Sequence, residues 1–226
     1  MSGSTHKLNH NIQQIALFGC GGTGSHVAYG LARINHQLKQ LGKPAFHVTA
    51  YDHDVVSYAN IGRQAFYEPD VGHNKAKVLM ERINFCYRTN WRAVPKKAPS
   101  SVTQDLFIAC VDTVKSRESI AKSWRKKGCY MIDCGNARTS GQILIGQDKG
   151  DLPNIYDEHS DLIYGEEQQD EPGCVDPLKK QDLFVNNVVA CHALNLIWTL
   201  LRWESLQVRG IFFDLARGIS NPIKIQ

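Results

Sequence analysis

Asp52, Asp54, Asn60, Arg63 and Gln64 crowd into the stretch YDHDVVSYANIGRQAF, and Lys75 follows in VGHNKAKV. Upstream, FGCGGTGSH places Gly19, Gly21, Gly22 and Gly24 between an apolar run and an amphipathic one. Glycines at a strand-to-helix turn let the backbone approach phosphates, whose charge the helix amino terminus stabilises. Asp52 ends the next apolar run about 30 residues on, where an acidic residue can accept hydrogen bonds from both hydroxyls of a ribose. A nicotinamide dinucleotide would satisfy these features, but it leaves Asn60, Arg63, Gln64 and Lys75 without a task. A triphosphate reacting at its α-phosphorus uses two amides and two cations, because negative charge builds on its oxygens in the transition state. Plainer readings stand beside these: Asp54 as a turn cap, Asn60 satisfying loop backbone groups, Arg63 and Lys75 as surface cations.

These residues act together only if a fold gathers the ends of several strands. Short apolar runs alternate with longer amphipathic stretches, the pattern of a parallel sheet covered by helices. QIALFG, FHVTAYD, LFIACV and CYMIDC read as strands, and WRAVP as a short extended piece. Residues 24–42, residues 73–88 and the basic stretch after Asp112 read as the helices between them. GQILIG, residues 141–146, has no room for a crossover before it and is expected to join antiparallel. The expected fold is α/β, a Rossmann-like, doubly wound and mostly parallel sheet with antiparallel carboxyl-terminal strands. Residues 183–203 read as a mostly apolar, buried helix, and GIFFDLARGISNPIKI as a closing hairpin. Residues 147–182 hold clustered carboxylates and few apolar side chains, and are expected to form a loop or lid inserted in a single domain spanning 1–226.

Composition narrows the function classes. Of 226 residues, 42% are hydrophobic and 21% charged, ordinary for a soluble globular protein. No apolar run approaches the roughly 20 residues that span a bilayer, and the amino terminus does not read as a secretory signal. A cytoplasmic protein without a membrane partner is expected. A net charge of +4 makes no case for nucleic acid, and KSRESIAKSWRKK reads as a solvated helix face. His53 and His73 read as solvated loop residues, too isolated to suggest a metal site.

Seven cysteines with no CxxC pair argue against a disulfide framework and a four-thiolate zinc site. Cys20, Cys86, Cys110, Cys129, Cys134 and Cys191 read as small buried hydrophobes. Cys174 differs, because DEPGCVDPLKKQD is a polar loop. Lys179 and Lys180 favour a thiolate there, while Asp170, Glu171 and Asp176 oppose it.

GCGGTGS, YDHDVVSYANIGRQ, VGHNKAK and ACVD, in that order, resemble the ThiF, MoeB and ubiquitin-activating superfamily. The likeness covers residues 15–146 well and 174–226 more loosely, and length and short amino terminus resemble the ThiF-type proteins of plasmid-associated PRTRC systems. The resemblance implies adenylation, with ATP and magnesium, of the carboxyl-terminal glycine of a ubiquitin-like β-grasp partner. It implies that Asp52 binds the ribose, that Asp54, Asn60, Arg63 and Gln64 line the nucleotide and triphosphate pocket, and that Arg63 and Lys75 offset phosphate charge. Asp112, ending ACVD, matches the magnesium-linked aspartate. The PGC at Cys174 resembles the region where many members carry the thiol that accepts the activated carboxyl group.

Departures accompany the likeness. Only about fourteen residues precede the first long strand, so no counterpart is expected of the family's amino-terminal helix, whose arginine reaches an ATP site across a dimer, and completion of the site in trans stays open. Its paired CxxC zinc motifs are missing too, and no zinc is expected. The long apolar helix keeps a homodimer open. Two other functions stay open: a nicotinamide-dependent oxidoreductase, and a non-catalytic adapter holding a β-grasp partner.

Overall fold

The computed structural model describes residues 4–99, 103–124, 128–160 and 181–225. In chain order the strands are β1 (His6–Lys7), β2 (Gln14–Phe18), β3 (His47–Tyr51), β4 (Arg92–Val94), β5 (Leu106–Ala109), β6 (Tyr130–Asn136), β7 (Ser140–Gln147), β8 (Ser205–Leu206), β9 (Val208–Asp214) and β10 (Ile219–Lys224). The α-helices are α1 (Gly22–Gln40), α2 (Lys75–Tyr87), α3 (Val114–Ser123), α4 (Ile155–Glu158) and α5 (Val185–Trp203).

Eight strands form one sheet in the order β10-β9-β7-β6-β5-β2-β3-β4. Pairing is parallel from β6 to β4 and antiparallel from β6 through β7 and β9 to β10. This is the expected mixed architecture. The piece around WRAVP supplies β4, an edge strand parallel to β3. β1 and β8 pair separately, and are too short to leave a periodic signal.

The parallel strands are apolar because both their faces are covered. Along β2, Ile15 and Leu17 join the core formed with α1, α2 and α5, whereas Ala16 and Phe18 join the core formed with α3 and α4. Successive side chains of a strand point to opposite faces, which fixes that division. α1 packs against α5 so closely that a Cβ on Gly30 would meet Leu194 Cδ1 at 2.0 Å.

Two segments carry more structure than their composition announced. Residues 147–182 are not loop throughout: Leu152, Ile155 and Tyr156 are buried, and α4 forms there because Ile155 and Tyr156 pack on the sheet, with Asn154 Oδ1 accepting from the Tyr156 N–H at 3.0 Å. Residues 161–180, including Cys174, lie outside the described residues. α3 presents Lys115, Ser119 and Lys122 to solvent, while Arg117, Ile120 and Ser123 are buried on its inner face.

Among the described residues no helix is long and apolar enough to cross a membrane. The sheet sets the geometry of the site. β2 lies between β3 and β5, so the carboxyl ends of these three parallel strands stand side by side, the place where open α/β sheets bind ligands.

Candidate functional site

The glycine turn is shaped by packing. Gly19 adopts φ +83°, and a Cβ there would lie 2.5 Å from the Cys110 carbonyl oxygen. A Cβ on Gly24 would meet the Gly19 carbonyl oxygen at 1.8 Å, and one on Gly22 would meet the Asn186 amide at 2.6 Å. Gly21 alone of the four faces open space, with nothing within 4 Å. The turn delivers α1, 19 residues long, with no side-chain cap and no acidic residue in its first turn. Such an end attracts an anion.

Asp52 closes β3 against this turn. Its Oδ2 accepts from the Cys20 N–H at 2.6 Å and its Oδ1 from the Asp54 N–H at 2.8 Å. Each oxygen keeps a lone pair for a further donor. Burial raises the Asp52 pKa, and the two backbone donors offset part of that rise.

Asn74 was not singled out by the sequence, yet it locks this corner. Its Oδ1 caps α2 through the Lys77 N–H, and its amide donates to the carbonyls of Asp52 at 2.9 Å and Asp54 at 3.0 Å. The asparagine before KAKV is a readable amino-cap signal, but its grip on residues 52 and 54 is not. Lys75 is thereby placed with its stem buried and its Nζ 3.2 Å from Asp54 Oδ2.

Asn60, Arg63 and Gln64 lie in the loop between β3 and α2. Asn60 Oδ1 accepts from the Ser57 N–H at 2.9 Å, so its side chain holds the loop. The Arg63 side chain donates through Nε to the Ala59 carbonyl at 3.3 Å. Among the described residues it has no acidic partner. Gln64 is buried, and its Oε1 has no hydrogen-bond partner among the described residues. Ser25 Oγ, in the first turn of α1, accepts from the Ala65 N–H at 3.0 Å and ties this loop to the glycine turn.

Asp112 follows β5 on the other side of the turn, exposed and without a hydrogen bond or ion pair among the described residues. A Cβ on Gly19 would come within 3.4 Å of Val111 Cγ1, which places this strand end directly beside the glycines. A free carboxylate next to an anion-binding turn suits a largely hydrated magnesium ion, which takes few protein oxygens and completes its shell with water and phosphate.

A ThiF family model matches residues 3–210, most of the chain. The chain belongs to the ThiF family. The structure of PaaA is similar, with TM-score 0.68 and 18% identity over 94% of this chain and 64% of PaaA. E. coli MccB crystallised with AMPCPP and MccA matches with TM-score 0.62 and 17% identity, over 95% of this chain and 64% of MccB. MccB with ATP gives TM-score 0.61 and 18% identity, over 95% and 63%. This ThiF-family chain therefore spans just under two thirds of the length of those proteins, and the likeness establishes the fold. No curated protein matches.

Two further polar clusters flank the site of this ThiF-family chain, both missed in the sequence. Asn186, at the start of α5, accepts from Thr23 Oγ1 at 3.1 Å and from the Asn136 amide, while Gln181 bonds Asn136 at 2.8 Å and Asn186 at 3.2 Å. This joins residue 181 to the first turn of α1. Under β5 and β6, Arg117 pairs with buried Asp133, and the Tyr156 hydroxyl donates to Asp133 Oδ2 at 3.0 Å. One sequence signal was available: an aspartate inside CYMIDC requires a buried donor or cation.

The cysteines divide differently from expectation. Cys20, Cys129 and Cys134 are buried and Cys110 partly so, but Cys86 and Cys191 are exposed because they sit on the outer faces of α2 and α5. His53 is not isolated, since ligand atoms of Asp52, His53 and Asp54 lie within 4.8 Å of one another. Asp54 is engaged by Lys75, and both Asp52 oxygens by backbone N–H groups, so this trio is better explained by the loop than by an ion.

Proposed function

We infer that this protein is an adenylyltransferase that uses ATP to activate the carboxyl terminus of a peptide or protein. One observation carries the reading: around a glycine turn stand Arg63 and a buried Gln64 oxygen, without an acidic partner and a donor respectively among the described residues, and Lys75 with a buried stem. A ribose held by Asp52 and phosphates lying along Gly21 and the amino terminus of α1 would bring donors and charge to these groups. A nicotinamide dinucleotide leaves the cations unused.

In the reaction the substrate carboxylate oxygen bonds to the α-phosphorus as the bond to the bridging oxygen breaks, and that oxygen leaves with the electron pair on pyrophosphate. Positioning and charge stabilisation carry such a step. Arg63 and Lys75 face the charge that builds on the phosphoryl oxygens. Asp112 would hold magnesium, which supplies charge neutralisation along the polyphosphate. No protein nucleophile takes part. The finer assignment is a ubiquitin-like β-grasp partner ending in glycine, supported by the motif resemblance, with transfer of the acyl group to Cys174 as a separate second step. The solved complexes of MccB with ATP and with MccA support the coarser class, a peptide or protein carboxyl terminus.

Titration calorimetry tests the reading. Magnesium-dependent ATP binding with negligible NAD or NADP binding is expected. Tighter binding of NAD than of ATP would overturn it.

A further inference from the structure

We propose that Arg117 is a positioning residue for Asp112, its side chain holding the backbone just before that carboxylate; the proposal rests on the nucleotide reading above. The Arg117 guanidinium donates to the carbonyl of Val111, the residue before Asp112, at 3.0 Å. The Arg117 backbone N–H donates to the carbonyl of Thr113, the residue after it, at 3.1 Å. Thr113 in turn caps α3, its Oγ1 accepting from the Ser116 N–H at 3.2 Å. Residue 111 is thus gripped by the guanidinium and residue 113 by the first backbone bond of α3, while the Asp112 side chain between them stays exposed and unengaged among the described residues.

The grip is anchored in the core. The guanidinium also donates to the Cys134 carbonyl at 3.1 Å and pairs with Asp133, which is fully buried. β5 and β6 last pair at Ala109 and Asp133, so Arg117 continues their connection past the end of the ladder. Asp133 is satisfied on its other oxygen by Tyr156, which stops the anion from competing for a different partner. The planar fork of arginine can bond several acceptors at once; a lysine keeps the charge but not that geometry.

The test uses Arg117→Lys in the full chain, with Tyr156→Phe as the milder second variant should the first fail to fold. In ligand-free, metal-free protein, amide exchange across residues 111–116 is expected to accelerate at least about tenfold while exchange in β2 stays unchanged. By calorimetry, ATP affinity without magnesium should remain within about twofold of wild type, and the gain on adding magnesium should shrink at least about fivefold. Tyr156→Phe should move both readouts in the same direction by less. A folded Arg117→Lys, or in its place Tyr156→Phe, with unchanged exchange and an undiminished magnesium gain would overturn the proposal alone. Wild-type protein that binds no ATP would overturn the nucleotide reading and this inference with it.

Discussion

Lys75 Nζ lies 3.2 Å from Asp54 Oδ2, so the two residues read as lining one nucleotide pocket neutralise each other before any ligand arrives. Asp54 is half exposed and Lys75 almost covered. A pair open to water on one side contributes little, about 0–1 kcal/mol, so exchanging the carboxylate for a phosphate is energetically easy. Lys75→Met keeps the buried stem and removes the charge. Its thermal midpoint should stay near wild type, while partner-dependent ATP–pyrophosphate exchange falls at least about tenfold, equivalent to roughly 1.4 kcal/mol of transition-state stabilisation.

Arg63 should separate stability from function even more clearly, because among the described residues its side chain bonds only the nearby Ala59 carbonyl. Arg63→Ala should leave the unfolding transition nearly unchanged and slow exchange by about tenfold or more. A loss of exchange that tracks a loss of folded protein would assign Arg63 to the loop rather than to the chemistry.

Gln64 makes the opposite test, on a group the free protein leaves unsatisfied. A buried acceptor without a donor costs about 1–3 kcal/mol, and Gln64 Oε1 is such an acceptor. Gln64→Leu should therefore equal or exceed wild-type stability without nucleotide, yet bind ATP several-fold more weakly. Raised stability with unchanged ATP affinity would mean that the oxygen faces no ligand.

How far the sequence revealed this arrangement follows from the range over which each signal acts. Parallel strands such as β2 and β5 are covered on both faces and so appear as continuous apolar runs, legible within a few residues. The placement of Asp52 against the glycine turn was legible because a strand end and the turn after a strand are marked locally. Arg117 was not: its burial depends on Asp133 in another strand and Tyr156 in another helix, and locally it is one cation in a charged helix. The same holds for Cys86 and Cys191, whose helices are amphipathic enough to turn a small apolar residue outward. Asn60 shows a mixture, since its position was legible while its observed bond is the plainer one, to the Ser57 backbone.

Asp52 gives the site a pH dependence. Burial raises its pKa in the folded protein, so the folded state takes up this proton more readily than the unfolded chain. The contribution of Asp52 to stability therefore declines as pH rises from the ordinary aspartate pKa through the folded one. Ligand binding runs the other way, because a ribose hydroxyl needs the ionised acceptor. ATP affinity should fall on acidification at a higher pH than an ordinary aspartate would give, and Asp52→Asn should lose that component. Subtracting the two titrations removes the protonation of ATP itself; a difference that stays flat with pH would show that Asp52 does not meet the ribose.

The two proposed half-reactions make different demands on sulfur. Adenylation uses none, whereas acyl transfer needs a thiol that is accessible and at least partly ionised. Cys20, Cys129 and Cys134 are buried; burial pushes the Cys20 thiol well up, and a hydrogen bond with Cys134 together with burial does the same to Cys110, which disqualifies both as ready nucleophiles. Exposed Cys86 and Cys191 are the competitors to exclude, although each lies on the outer face of a helix. Cys174→Ala should therefore preserve partner-dependent pyrophosphate exchange and abolish a reductant-sensitive adduct with the partner, while Cys86→Ser and Cys191→Ser retain both. An adduct that survives Cys174→Ala and disappears with one of the other two moves the acceptor to that cysteine. If wild type exchanges pyrophosphate but forms no adduct, the reaction ends at the adenylate, and the acyl group passes directly to an acceptor outside this chain.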